Sequence, residues 1–384
     1  MRIAIVRTAN GALNPNKYNI QEIGLGKGLV QQGHSVDLYS SFIGISQPTI
    51  HFQNSNSTLL LIPIKGIAFK QISYYRGLIT QMLKGQYDLI QVHEDSQLMT
   101  AIILKAAKKA GIKTVLYQGM YENYTGLGVI YQKTLDFLFK RTTQRNADFV
   151  YAKTNAAKAY LENKTYRDVQ IQPIGLDIKD KTDPFERLES LNEFKDRFDH
   201  LLLYVGVLEP RREVNLVLQS LKVLISKKNK NIGFVIVGKG PDKRTIEREI
   251  KELALERNVY WIESVPNEQI GSIYQACDLF LLPSHYEIYG MVVMEALYNG
   301  IPVVSSPTAG PIDILTEEFL GATAPLKIAL WSETINHYLN SIFNSKESKQ
   351  QRKDYILKRF SWNQLAQEYL RKLENNVYES STDK

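Results

Sequence analysis

Residues 283–311 read PSHYEIYGMVVMEALYNGIPVVSSPTAGP, and the rest of the chain is best read outward from them. The apolar run Leu279–Leu282 ends in Pro283-Ser284, and a short loop carries Glu287 and closes on Gly290. Met291, Val292, Met294 and Leu297 then recur at helical spacing until Asn299-Gly300, a helix stop. Pro302-Val303-Val304-Ser305 is a short buried strand. Strand, loop, helix and strand make a βαβ unit, whose loop lies where doubly wound sheets bind ligands. Glu287 and Glu295 frame it, and eight helical steps between them span about 12 Å. That is close to the reach from the sugar to the ribose of a nucleotide-sugar. Between them, the amides of Gly290, Met291 and Val292 are free donors of a helix N-terminus, suited to a pyrophosphate.

This stretch resembles the E-x7-E signature of the retaining glycosyltransferases of family 4, which have the GT-B fold. Pro283, Ser284, Glu287, Gly290, Glu295, Ala296, Gly300, Pro302, Val303 and Val304 follow the family pattern, with Tyr289 in place of its usual Phe. The resemblance implies an α/β chain of two Rossmann-like, doubly wound parallel-sheet domains facing each other across a cleft. The expected boundaries are 1–180 for acceptor binding, 181–360 for the nucleotide-sugar, and 361–384 for a closing helix that crosses back to the first domain. A composition shift to charged residues over 178–200 marks the linker.

Further motifs place the site. The loop Gly206-Val207-Leu208-Glu209-Pro210-Arg211-Arg212 resembles the family's G-R-L-x-P-x-K, with Val207 for the Arg and Arg212 for the Lys. The resemblance gives Arg212 the departing diphosphate, which arginine can hold through two parallel hydrogen bonds. Gly206, Gly238 of a G-x-G-P turn, and Ser264-Val265 fall at the nucleotide. Asn16-Lys17 stand where the family has Gly-Gly by the donor phosphates, and an Asn tolerates the left-handed backbone such a loop uses. His93 ends a strand where the family has a His near acceptor and donor sugar. Glu287 would hold sugar hydroxyls and Glu295 the ribose. Glu94 and Asp95 stand as acceptor contacts or as plain strand-end acids. Pro173-Ile174-Gly175-Leu176-Asp177 follows the family's P-N-G-V-D, with Ile174 for Asn.

A chain of 384 residues is long for one core, so two domains is the prior. Its net charge of +7 and pI near 9.1 call for an anionic partner. Zinc spacings, basic arms and stacking motifs are missing, so nucleic acid is not that partner. Nucleotide diphosphates and anionic headgroups remain. Lys65, Lys70, Arg76 and Lys84, interleaved with aromatics, read either as membrane-surface helices or as a solvated face, as do Lys105, Lys108, Lys109 and Lys113. The aromatics over 128–145 read as core. The lone Cys277, in an apolar helix end, reads as a buried filler, and its solitude fits a reducing cytoplasm. Met1-Arg2 leads straight into a strand, so no leader peptide is expected. Gly24, Gly26 and Gly28 lie inside a helical pattern, which excludes a dinucleotide fingerprint and points to close packing.

The expected function is retaining transfer of a hexose from a UDP- or GDP-sugar to a hydroxyl, with no metal cofactor. The acceptor is a glycan, lipid-linked, in surface polysaccharide assembly on the cytoplasmic face of the membrane. An inactive GT-B relative that binds a partner, and a nucleotide-sugar epimerase, are the alternatives.

Overall fold

The computed structural model describes residues 1–8, 11–17, 19–69, 72–178, 188–228 and 230–382. The chain divides into two compact units: Met1–Asp177 with Phe360–Lys384, and Ile178–Arg359. The expected 180/181 boundary and Lys70 of the first basic group lie outside the described residues.

Unit 1 runs β1 (Arg2–Val6), α1 (Gln21–Gln31), β2 (Ser35–Ser40), β3 (Thr49–Asn54) and β4 (Ser57–Pro63). It continues with β5 (Ile67–Phe69), β6 (Ile72–Tyr74), α2 (Leu78–Leu83), β7 (Leu89–His93), α3 (Leu98–Lys109) and β8 (Lys113–Gln118). After these come α4 (Leu127–Asn146), β9 (Phe149–Ala152), α5 (Asn155–Asn163) and β10 (Val169–Ile171). Among the described residues the sheet order is β10-β9-β8-β7-β1-β2-β4-β3. It is parallel except for β3, which pairs antiparallel with β4 at the edge. β1 lies between β2 and β7, with Ile3 opposite Val36 and Leu89. Such a strand is covered on both faces, and Ile3, Ala4, Ile5 and Val6 are all buried.

Unit 2 runs α6 (Leu188–Lys195), β11 (His200–Val205), α7 (Val214–Lys228), β12 (Ile232–Val237), α8 (Lys243–Glu252) and β13 (Val259–Ile262). Next come α9 (Ile270–Ala276), β14 (Leu279–Leu282), α10 (Met291–Tyr298), β15 (Val303–Ser305), α11 (Ala309–Ile314), β16 (Gly321–Thr323), α12 (Ile328–Tyr338) and α13 (Lys346–Phe360). Its sheet, β13-β12-β11-β14-β15-β16, is parallel throughout. The last helix, α14 (Trp362–Thr382), belongs to unit 1. A Cβ on Gly24 would lie 2.1 Å from the Trp362 ring, and one on Gly28 would lie 2.5 Å from the Trp362 carbonyl. Gly24 and Gly28 make room for the start of α14. Gly26, on another side of α1, meets Leu59 at 2.8 Å.

Two expectations are corrected. The basic stretch 65–84 is no continuous helix: β5 and β6 form an antiparallel hairpin, followed by the short α2. Tyr75, Leu78 and Met82 of that stretch are core residues. Conversely, the aromatics of α4 are not all core. Leu127 is 80% exposed and Phe137 88%, with Ile130 and Leu138 exposed beside them. Cys277 is buried, and burial pushes its thiol well up. Among the described residues no helix is long and apolar enough to cross a membrane.

Candidate functional site

Two groups of predicted residues occupy the carboxyl ends of the two sheets. In unit 2, β11 runs into the loop 206–212, and the loop beside it follows β12. The two meet backbone to backbone. A Cβ on Gly238 would lie 1.9 Å from the Gly206 carbonyl oxygen, and one on Gly240 2.1 Å from that of Leu208. The Gly206 amide donates to Val237, and the Leu208 amide to Lys239. Glycine is therefore required at 238, where φ is +153° as well. Trp261 of β13 donates to the Gly238 carbonyl at 3.0 Å. Ser264, just beyond β13, is exposed and Val265 half-buried.

Arg212 and Glu287 meet here. Arg212 Nη1 donates to Glu287 Oε2 at 2.5 Å and to Ser284 Oγ at 3.3 Å. Both side chains are mostly covered, and Arg212 Nε is buried with no partner among the described residues. Ser284 is itself locked, since its amide donates to Ser306 Oγ and its hydroxyl to the Tyr286 carbonyl. Gly290 turns the chain into α10 with φ +79°. A Cβ there would lie 3.4 Å from Glu287 Cγ, so the carboxylate lies at the amino end of that helix. Half-buried Met291 and Val292 form its first turn. Glu295 lies on the same helix and accepts from the Tyr274 hydroxyl at 3.2 Å. Val207 is an exposed apolar side chain, 52% accessible, while Arg211 is tied to Glu209 and to the Tyr286 carbonyl.

In unit 1, His93 is the last residue of β7 and is only 5% exposed. Gln91 lies 2.9 Å from its Nε2, Glu22 Oε1 lies 3.4 Å from its Nδ1, and the Tyr117 ring packs edge-on at 5.2 Å. Burial lowers the His93 pKa to about 4, against the opposing pull of Glu22. The imidazole is neutral at pH 7, and its Nδ1 faces the Glu22 carboxylate. Burial pushes Glu22 up, but the charges of His93 when protonated, Arg7 and Lys153 outweigh it and hold Glu22 below its ordinary value. Glu22, Arg7 and Lys153 escaped the sequence reading. Glu22 looks like a solvated first-turn acid, and the two cations directly follow strands.

Glu94 and Asp95 are engaged elsewhere in unit 1. Glu94 accepts from the Gly119 and Met120 amides, and Asp95 is paired with Lys164. Burial raises Asp95 to about 6, still below neutrality. Asn16 and Lys17 lie exposed on the first loop, where Asn19 has a left-handed backbone and Asn16 does not. Asn19 is exchanging hydrogen bonds with Asp177. Ile174 is buried, which suits an apolar residue there.

Residues 189–359 match the family model of the glycosyl transferases group 1. The match supports a glycosyltransferase family for this chain, and it covers the residues that build the Arg212–Glu287 site. The chain is 33% identical to the 2-deoxystreptamine N-acetyl-D-glucosaminyltransferase of Niallia circulans over 25% of this chain and 24% of that protein. It is 19% identical to the alpha-monoglucosyldiacylglycerol synthase of Streptococcus pneumoniae over 77% and 68%. In four of the curated relatives the match spans 24%, 45%, 66% and 32% of the protein's own length. Among solved structures, Anabaena HepE in complex with UDP superposes with a TM-score of 0.72 at 16% identity, covering 98% of this chain and 100% of that one. The sucrose-phosphate synthase of Thermosynechococcus elongatus gives 0.69 at 18%, covering 99% of each. The fold is GT-B.

The His93 environment carries a pH prediction. Its folded pKa lies below the unfolded value near 6.5, so the unfolded chain takes up the proton first as pH falls. Stability is lost between about pH 6.5 and 4, on the order of 3 kcal/mol from this residue. His93→Gln should flatten that part of the curve. Thermal midpoints of both proteins at pH 7.5 and 4.5 check it: the drop should be smaller in the variant, and equal drops refute it.

Proposed function

We propose that the chain is a retaining hexosyltransferase. Its donor is a UDP- or GDP-sugar bound by unit 2, and its acceptor a hydroxyl of a lipid-linked glycan bound by unit 1. The observation that carries this reading is the Arg212–Glu287 pair at the amino end of α10, with Glu295 on the same helix. HepE is solved with UDP and with UDP-glucose, which favours a nucleotide-sugar donor. In this reading Glu287 holds sugar hydroxyls, Glu295 the ribose, and Gly206, Gly238, Ser264 and Val265 the nucleotide. Lys17 adds positive charge for the donor phosphates.

Double displacement would need a carboxylate nucleophile behind the anomeric carbon. The proposed course is front-face attack. The bond from the anomeric carbon to the leaving phosphate oxygen breaks, the acceptor oxygen bonds to the same face, and the leaving oxygen takes the acceptor's proton. Arg212 and the amides of Gly290, Met291 and Val292 stabilise the departing diphosphate, so the charge is met without a metal. Neutral His93 positions acceptor and sugar by hydrogen bonding rather than by charge.

The deciding measurement is nucleoside diphosphate release from UDP-, GDP- and ADP-sugars. Wild type should release from one donor, with at least a hundredfold loss in Glu295→Ala. Silence with every donor, and again with membrane extract as acceptor, would sink the transferase reading in favour of a binding protein.

The lipid part of the reading rests on α4. Leu127, Ile130, Thr134, Phe137, Leu138 and Arg141 fall on one helical face, with Lys133 and Lys140 beside it. An apolar groove of about 450 Å³ between α3 and α4 is rimmed by Lys105 and Lys109. A basic rim around exposed aromatic and aliphatic side chains suits an anionic bilayer on the cytoplasmic face. Phe137→Ser should cut sedimentation with anionic vesicles about fivefold at unchanged thermal midpoint. Equal sedimentation of the two proteins, or none by wild type at moderate salt, removes the membrane from the proposal.

A further inference from the structure

Four elements bring titratable side chains to the carboxyl edge of the unit 1 sheet. The edge is centred where β1 and β7 adjoin and the strand order turns back, the place where open α/β sheets bind ligands. Arg7 follows β1, His93 ends β7, Lys153 follows β9, and Glu22 reaches in from α1. Most of these charges are matched. Arg7 lies 3.6 Å from Glu22 and donates to the Gly11 carbonyl at 2.9 Å. Glu94 is held by two backbone amides, and Asp95 by Lys164.

Lys153 is the exception. The residue is 7% exposed, yet among the described residues no carboxylate or carbonyl lies within bonding distance of its ammonium. Its contact is the face of Tyr117, 5.5 Å from Nζ to the ring centroid. The side chain runs over Gly119, where a Cβ would lie 2.5 Å from Nζ and 2.8 Å from Cδ. Gly119 therefore leaves the space Lys153 fills. Lysines generally extend to water, and a covered lysine whose ammonium has no protein partner keeps its donors for solvent or an anion. The ammonium's own charge gives the sign of the partner that suits it. Lys153 and Arg7 both act on Glu22 and His93 at this edge.

We propose that Lys153 is an anion-binding residue of unit 1, which receives a phosphate or carboxylate group carried by the acceptor. The ammonium acts as a point-charge phosphate binder with three donors, and the aromatic face behind it keeps it oriented. An acceptor anchored there lies along the sheet edge that also carries His93. The word acceptor rests on the transferase reading, while the anion site itself does not.

The test is site-resolved acetylation of the full chain, read by mass spectrometry. Inorganic phosphate and glycolate are each compared with chloride at matched ionic strength. Phosphate should slow modification of Lys153 about tenfold and leave exposed Lys105 and Lys109 unchanged. Protection by glycolate as well assigns the site to carboxylates too, and protection by phosphate alone assigns it to phosphate esters. Equal rates in all three salts overturn the proposal. Should Lys153 resist acetylation even in chloride, the phosphate-induced rise in thermal midpoint decides. It should be about 5 °C in wild type and lost in Lys153→Met, whereas equal rises overturn the site. Diphosphate release by the same wild-type preparation separates the two readings. Silence with every donor, and again with membrane extract as acceptor, removes the transferase and leaves the anion site to its own result.

Discussion

Arg212→Ala is expected to slow nucleoside diphosphate release about a thousandfold, the upper range for removing one donor aimed at developing charge. In the proposed reaction, breaking a sugar–phosphate bond leaves negative charge on the diphosphate, and the unit 2 cations are the first candidates to meet it. Val207, earlier in this loop, brings no charge, since its side chain is apolar and exposed. Arg211 is held by Glu209 and by the Tyr286 carbonyl. Arg212 is placed differently, with one nitrogen on Glu287 and Ser284 and Nε buried without a partner among the described residues. That leaves donor capacity in a side chain already desolvated. Arg212→Lys keeps the charge but loses the planar fork, and about a tenfold loss is expected. Removing Arg212 also strips Glu287 of its counter-ion, so the thermal midpoint of each variant must be measured alongside the rate. A rate loss at an unchanged midpoint marks the phosphate role. Alanine turnover within threefold of wild type shows that the charge is met elsewhere.

Much of unit 2 was legible because its signals are local. Gly300 follows α10 with φ +87°, and Gly290 precedes it with φ +79°, so the helix is bracketed by residues whose backbone needs glycine. The strands Val259–Ile262 and Leu279–Leu282 are short apolar runs with polar ends, and their bounds match the sequence reading. What could not be read is what distant segments assemble. Arg7, Glu22, His93 and Lys153 are spread over nearly 150 residues, and only the parallel register of β1, β7, β8 and β9 gathers them. Burial also reassigned residues. Phe137 sits in a pattern that reads as core but faces solvent, and Tyr75 sits in a basic stretch yet is core. Periodicity shows that a helix has two faces without saying which is covered. The α1 glycines show the converse: packing was legible as a need for small residues, while the partner, Trp362, lies more than 330 residues away.

Gly310→Ala carries the largest expected effect on stability. Gly310 is the second residue of α11, and its Cα approaches the other end of the Glu287 loop. A Cβ there would lie 1.8 Å from the Tyr289 carbonyl oxygen, 2.2 Å from its carbon and 2.3 Å from its Cα. These are backbone atoms, so no rotamer change relieves the overlap. Tyr289 has little freedom to retreat, because its side chain is buried and Gly290 after it is already committed to the left-handed turn. The remaining relief is to shift α11 or to push the 287–290 loop outward, at about 3 kcal/mol for overpacking of this kind. For a unit of this size that corresponds to a fall in thermal midpoint of roughly 6–12 °C. Turnover should suffer separately. Glu287 and the first amides of α10 ride on the displaced loop, and a shift of about 1 Å in positioning groups costs on the order of a hundredfold. Measuring diphosphate release well below the lowered midpoint separates misplacement from unfolding. A midpoint within 2 °C of wild type would mean that α11 slides at little cost, and the tight approach would then not be what holds the Glu287 loop in place.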